Sequence, residues 1–168
     1  MDYRNRYKSR RRRELTIGMD YKKILEKLPY TKPFLFVDEV SHLDQNGVEG
    51  SYTFDGSADF YRGHFKDNPV TPGVILTECC AQIGVVIFGI YLLSEGDVTV
   101  GDNVQIGLSS SEMEFYEPVF PNEKVTVTSE KVYFRFNKLK CKVKMYNASG
   151  SLVCKGAIAG MLKLNTNG

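Results

Sequence analysis

A chain of 168 residues is long enough for one domain whose core needs no metal or disulfide staple, and too short for two of ordinary size. Apolar residues at 42% and charged residues at 25% exclude the disordered, collagen-like and coiled-coil classes. The net charge of +2 conceals a split, because residues 1–18 hold seven cations (Arg4, Arg6, Lys8 and Arg10 to Arg13) against Asp2 and Glu14, leaving the remainder at −3. A nucleic-acid-binding domain carries its basic patch on the fold itself, so that function class is set aside.

Residues 1–18 read as a solvated, disordered basic arm, with Met19 an alternative start of translation and residues 19–168 a single domain. From Asp20, a capping residue, the spacing of Ile24, Leu25 and Leu28 predicts a short helix stopped by Pro29. An apolar strand is predicted over Phe34–Val40, and Asn46-Gly47 signals a hairpin into a second strand over Val48–Phe54. The stretch Asp55–Pro72 is rich in Gly, Pro and Asp, yet it includes Phe60, Tyr61 and Phe65. A loop with three aromatics is expected to be packed and functional.

Gly73–Leu93 is apolar nearly all the way round. Its length would permit a membrane span, but Glu78 and Gln82 in its first half oppose that, and a buried central helix of a soluble protein is the expectation. Strand signals then run to the end. They are weak over Val98–Ser109 and clearer over Lys124–Phe136, where Val125, Val127, Val132, Phe134 and Phe136 are read as core-facing. Over Leu139–Tyr146 they alternate cleanly, with Leu139, Cys141, Val143 and Met145 inward and Lys140, Lys142 and Lys144 outward. Leu152–Leu164 closes the set. One long helix wrapped by a curved antiparallel sheet, an α+β arrangement, satisfies this order.

Cys79, Cys80, Cys141 and Cys154 form no CxxC pair and have no His at zinc spacing, so no metal site is expected, and the adjacent Cys79 and Cys80 inside an apolar run read as small hydrophobes. The absence of a secretory signal and this cysteine usage point to the cytoplasm. Of the two histidines, His42 at a strand end reads as a surface residue, and His64 sits in Tyr61-Arg62-Gly63-His64-Phe65. Glu78 lies in a helix that otherwise wants no charge. It is either a structural carboxyl tied to a backbone amide or an interface cation, or a functional acid. Gln82, one turn later on the same face, can hydrogen-bond and orient it. Pro72-Gly73 opens the helix and leaves free backbone N–H groups for a carbonyl oxygen that gains negative charge. Base, acid and oxyanion site within fifteen residues suit proton abstraction beside a carbonyl.

Four stretches carry a family resemblance. Leu28-Pro29-Tyr30 with Pro33-Phe34-Leu35-Phe36-Val37-Asp38, the run from Gly63 through His64 to Pro72-Gly73-Val74, Glu78-Cys79-Cys80-Ala81-Gln82, and Tyr116 to Val125 resemble the motifs of FabZ-type 3-hydroxyacyl-acyl-carrier-protein dehydratases. The resemblance covers about residues 21–164. It implies a hotdog fold working as a homodimer, with further assembly into a trimer of dimers left open. It implies a site at the dimer interface, where the His loop of one subunit faces the helix Glu of the other. By position, His64 would take the α-proton of a 3-hydroxyacyl thioester and Glu78 would protonate the departing hydroxyl. The Gly73 N–H would hold the thioester oxygen, and Gln82 would orient Glu78.

The resemblance further implies that no cofactor is needed. The acyl chain would lie in an apolar tunnel along the helix, with the phosphopantetheine of an acidic acyl carrier protein at its mouth. Arg62 and Lys66 are candidates for docking that partner. Where the related FabA group has Asp, Glu78 implies dehydration without double-bond isomerisation. Several positions depart from the pattern: Tyr30 stands for His, Lys66-Asp67-Asn68 for Pro-Gly-His, Thr71 for an apolar residue and Cys79-Cys80 for Ala-Met. These alter the loop and tunnel wall and leave the acyl chain open. A thioester hydrolase on the same scaffold and a non-catalytic acyl-binding module are the alternatives.

Overall fold

The computed structural model describes residues 21–95 and 104–164. The basic arm, the Asp20 cap, the chain end and the start of the weak strand signal at Val98 lie outside these. The first helix, α1 (Tyr21–Glu26), turns Ile24 into the core and ends on two tightened turns, Lys27 N–H to Ile24 O and Leu28 N–H to Leu25 O.

Strand β1 (Glu39–Leu43) begins five residues later than the apolar run suggests. The backbone of Phe34 and Phe36 is occupied elsewhere. The Phe36 N–H donates to Gln82 Oε1 at 2.8 Å, and Gln82 Nε2 donates to the Phe34 carbonyl at 3.0 Å. A strand neighbour has nothing left to pair with there. The turn into β2 (Gly47–Thr53) is closed as Asn46-Gly47 predicts, with both of their N–H groups donating to Asp44 Oδ1. His42 at the end of β1 is exposed and faces Asp44 Oδ2 at 3.1 Å.

The central helix is built from α2 (Gly73–Ala81), a π-type stretch (Gln82–Ile87) and α3 (Phe88–Glu95). Four strands follow: β3 (Val104–Phe115), β4 (Lys124–Arg135), β5 (Lys138–Tyr146) and β6 (Leu152–Leu164). Together the six form one antiparallel sheet in the order β1-β2-β4-β5-β6-β3. The π stretch packs against β2, β4, β5 and β6, so the sheet curls around the helix, which is the hotdog arrangement. The segment Gly73–Ser94 is apolar enough to cross a membrane by composition, yet 72% of its most apolar window is buried inside this wrap.

Residues Leu139, Cys141, Val143 and Met145 are buried and Lys142 and Lys144 exposed, as the alternation of β5 requires. All four cysteines are free and buried in the core. The outer half of β4 differs from expectation. A bulge between Lys131 and Tyr133 resets the register, so Val132 is half exposed. Phe136 forms the β4–β5 turn at φ 50° and is 91% exposed. The inward position after Val127 is Ser129, which is buried and donates from Oγ to the Gly84 carbonyl at 2.8 Å.

Helix and sheet approach closely at Gly84, where an added Cβ would stand 2.9 Å from Val143 Cγ1 and 3.1 Å from Ser129 Cβ. Gly84→Ala is therefore expected to destabilise the fold by about 1–3 kcal/mol through overpacking. A lower midpoint in urea unfolding with unchanged slope would bear this out.

Candidate active site

The polar side chain at the centre of the site is Gln82. It is fully buried on an apolar helix and uses its amide in three directions. Besides its bonds to Phe34 and Phe36, its Nε2 donates to Glu78 Oε1 at 3.0 Å. The i, i+4 spacing puts both residues on one helical face, and the extended 34–36 segment closes over them. Glu78 itself is partly buried. It lines an inner cavity of about 160 Å³ with Ala81, Val85 and Val86 from the helix, Ile106 and Leu108 from β3, and Ile158, Ala159 and Gly160 from β6. Tyr30 completes this wall, and it is a residue the sequence presents only as a departure from a motif.

The loop before the helix is packed, as its aromatics suggest. Residues Asp59–Arg62 form a 3-10 turn that buries Tyr61, whose hydroxyl shares a 2.6 Å hydrogen bond with Thr71 Oγ1. Phe60 packs partly on the core, whereas Phe65 is exposed and stacks on His64 at 4.1 Å. Across a cis His64–Phe65 peptide, the Val70 N–H donates to the His64 carbonyl at 2.9 Å. The imidazole is held by Nδ1, 2.8 Å from the Val70 carbonyl. A carbonyl can only accept, so Nδ1 carries the proton, and in the neutral ring Nε2 is the free base.

Gly73 begins the helix after Pro72, and the first intrahelical bonds are Ile75 N–H and Leu76 N–H to the Pro72 carbonyl. The Gly73 and Val74 amides precede these bonds and point from an end with no side-chain cap. The ring of Phe115 lies over Gly73, where an added Cβ would touch it at 3.4 Å. Arg62 and Lys66 are both exposed, and Arg62 makes a 3.4 Å contact with Asp59. Such a pair is solvent-screened and leaves the cation available.

Within one chain the structure joins Glu78 to Gln82 and fixes His64 to its own loop. It does not bring His64 into the lining of the Glu78 cavity. That cavity is walled in part by β3, which stands at the edge of the sheet and among the described residues pairs only with β6. Leu108 lines it and is 63% exposed. Among the described residues, no group of three or more His, Cys, Asp or Glu side chains is arranged to hold a metal ion.

Replacing Gln82 with Leu would leave the Phe36 N–H, the Phe34 carbonyl and one Glu78 oxygen without their partner. The expected cost is about 1–3 kcal/mol of stability, accompanied by loss of any activity that uses Glu78. Urea unfolding and an activity assay on the same preparation read both.

A FabA-like domain model matches residues 28–162. The chain is 30% identical over 142 residues to the 3-hydroxyacyl-[acyl-carrier-protein] dehydratase FabZ of Nitratidesulfovibrio vulgaris, covering 84% of this chain and 85% of that one. Among solved structures, the dehydratase heterocomplex ApeI:P from Xenorhabdus doucetiae matches with a TM-score of 0.66 at 12% identity, over 85% of this chain and 92% of that chain. A hypothetical thioesterase from Streptococcus pneumoniae, solved with coenzyme A, matches with a TM-score of 0.57 at 16% identity, over 86% and 97%. Both structural likenesses concern the fold. With the family model spanning both the histidine loop and the whole central helix, the chain belongs to the FabA-like family.

Proposed function

We propose that the protein dehydrates a 3-hydroxyacyl thioester carried on acyl carrier protein to the trans-2-enoyl thioester, in fatty acid or related acyl-chain synthesis. The observation that carries this reading is a carboxyl held by Gln82 at the wall of an apolar cavity. A greasy slot with one oriented acid suits a substrate that is hydrocarbon beyond a single polar reacting centre. The FabZ relative and the family match support the same reaction.

Residues of the chain perform each step, with no cofactor in the scheme. His64 Nε2 takes a proton from Cα, and the Cα–H electrons become the new double bond as the Cβ–O bond breaks. In this step Glu78 acts in its acid form and gives its proton to the departing hydroxyl, which leaves as water. Negative charge gathers on the thioester oxygen in between, and the Gly73 amide at the uncapped helix start stabilises it. Transfer of the proton from imidazolium back to the carboxylate resets the pair. Gln82 holds Glu78 in one orientation throughout.

The site is shared across a homodimer. His64 does not line the Glu78 cavity of its own chain, and the open edge of β3 and exposed Leu108 border that cavity. A second copy set against this edge would cover the apolar residues and supply its own His64. Arg62 and Lys66, exposed beside that histidine, would meet the acidic carrier protein. This scheme needs a soluble protein working where acyl carrier protein is found, the cytoplasm.

His64→Ala and Glu78→Gln are each expected to lower dehydration of 3-hydroxyacyl thioesters by about 10²–10⁴-fold without unfolding the protein. If the two groups act from different subunits, mixing and re-annealing the two variants restores about a quarter of wild-type activity, because half the dimers regain one intact site. Release of free thiol in place of enoyl product would instead identify a hydrolase.

A further inference from the structure

Tyr30 lies in two cavities at once. It lines the inner cavity beside Glu78, and it lines an outer groove of about 560 Å³ with Pro29, Val104, Gly107 and Met161, rimmed by Gln105 and Lys163. Among the described residues, only Ile106 shares this double position. The two side chains are therefore the partition between the spaces, Tyr30 from the segment after α1 and Ile106 from β3.

The phenol is held in place by the machinery of the site. Its ring packs on Phe34 at a centroid distance of 6.3 Å, and the Phe34 carbonyl is the acceptor that anchors Gln82 and through it Glu78. The ring also packs against the hydrophobic core. Burial first, and the nearby Glu78 charge second, push its hydroxyl up to about 12, so it remains a neutral O–H at any ordinary pH. A neutral ring packs against a hydrocarbon chain through dispersion, and its bulk bars the chain from passing.

We propose that Tyr30 is a specificity-determining residue that sets the length of acyl chain the site accepts, by closing the inner cavity against the outer groove. The inference rests on the acyl-thioester reading above and adds a limit to it. An apolar cavity of roughly 150 Å³ holds one benzene-sized group, so the 160 Å³ beyond Glu78 takes about five or six chain carbons. With the reacting carbons the limit falls at roughly eight to ten carbons in all. Behind the phenol, the apolar floor of the outer groove could take the remainder of a longer chain if the partition were removed.

The test compares wild type with Tyr30→Ala, Tyr30→Phe and Ile106→Ala across thioesters from 3-hydroxybutyryl to 3-hydroxyhexadecanoyl. Binding of the matching saturated acyl-pantetheine thioesters is measured in parallel by calorimetry. Wild type should lose at least about tenfold in kcat/KM and in affinity past the limit, since even one misfitting methylene counts for about 10-fold or more. Tyr30→Ala should recover long-chain binding and turnover by about 10–100-fold relative to short chains, and Tyr30→Phe should keep the wild-type limit. Ile106→Ala opens the same wall from the strand side and decides the matter if Tyr30→Ala fails to fold. An unchanged length profile in the opened variants, or a wild type that binds long and short chains alike, overturns the proposal. Absence of dehydration with length-limited binding intact counts against the reaction and leaves the partition standing.

Discussion

The site depends on one amide. Gln82 is completely buried, and a buried amide that lacked partners would cost several kcal/mol. Its carbonyl oxygen is met by the Phe36 N–H, and its nitrogen by the Phe34 and Glu78 oxygens, so the group is satisfied only when the distant 34–36 segment and the preceding turn of its own helix are in place together. The constraint runs both ways. The 34–36 segment is denied a strand partner because Gln82 takes its polar groups, and Glu78 is denied free rotation because Gln82 donates to it. Thermodynamic stability and the orientation of the acid are thus two consequences of the same three hydrogen bonds.

The helix carrying that amide is not regular, and the irregularity has an identifiable partner. Gln82 begins a π-type stretch in which the Gly84 carbonyl accepts a hydrogen bond from Ser129 on β4. A side chain inserted at a carbonyl is one of the few local causes that alter a helical hydrogen-bond ladder. Glycine at 84 permits the approach, since any Cβ would collide with Val143 and Ser129. The helix is consequently pinned to the sheet by a polar contact in the middle of an otherwise apolar interface, about one and a half turns from the proposed acid Glu78.

Much of this was legible from residue order. The β5 alternation, the Asn46-Gly47 turn, the buried central helix and the coupling of Glu78 to Gln82 all follow from periodicity and spacing, because each is enforced by local geometry. What escaped reading was set by tertiary partners. Ser129 faces the core of β4, but a hydrophobic-alternation reading skips a serine and moves to Val132, Phe134 and Phe136, of which the bulge turns Val132 outward and the turn exposes Phe136. Phe34–Val37 is apolar enough for a strand and forms none, because its hydrogen bonds go to a side chain 46 residues away. Tyr30 was visible as a substitution in a motif, while its place between two cavities depends on β3 and β6, which no local pattern connects to it.

Burial along the central helix also explains why the proposed chemistry falls at one end. Val74 is 77% exposed, Glu78 partly buried, and everything from Gln82 to Ile90 fully enclosed. Deeper in, an ionisable side chain would have to be satisfied entirely inside the sheet's wrap, a cost that grows as water is excluded. At the exposed start, the first amides lack acceptors and a carboxyl can still exchange protons with solvent. The second turn is the one place where a side chain can touch both the apolar cavity and a polar reacting group. A helix that is hydrophobic on every face can host acid–base chemistry only where the sheet stops covering it, and the proposed oxyanion amide of Gly73 and the proposed acid Glu78 both lie in its partly uncovered first two turns.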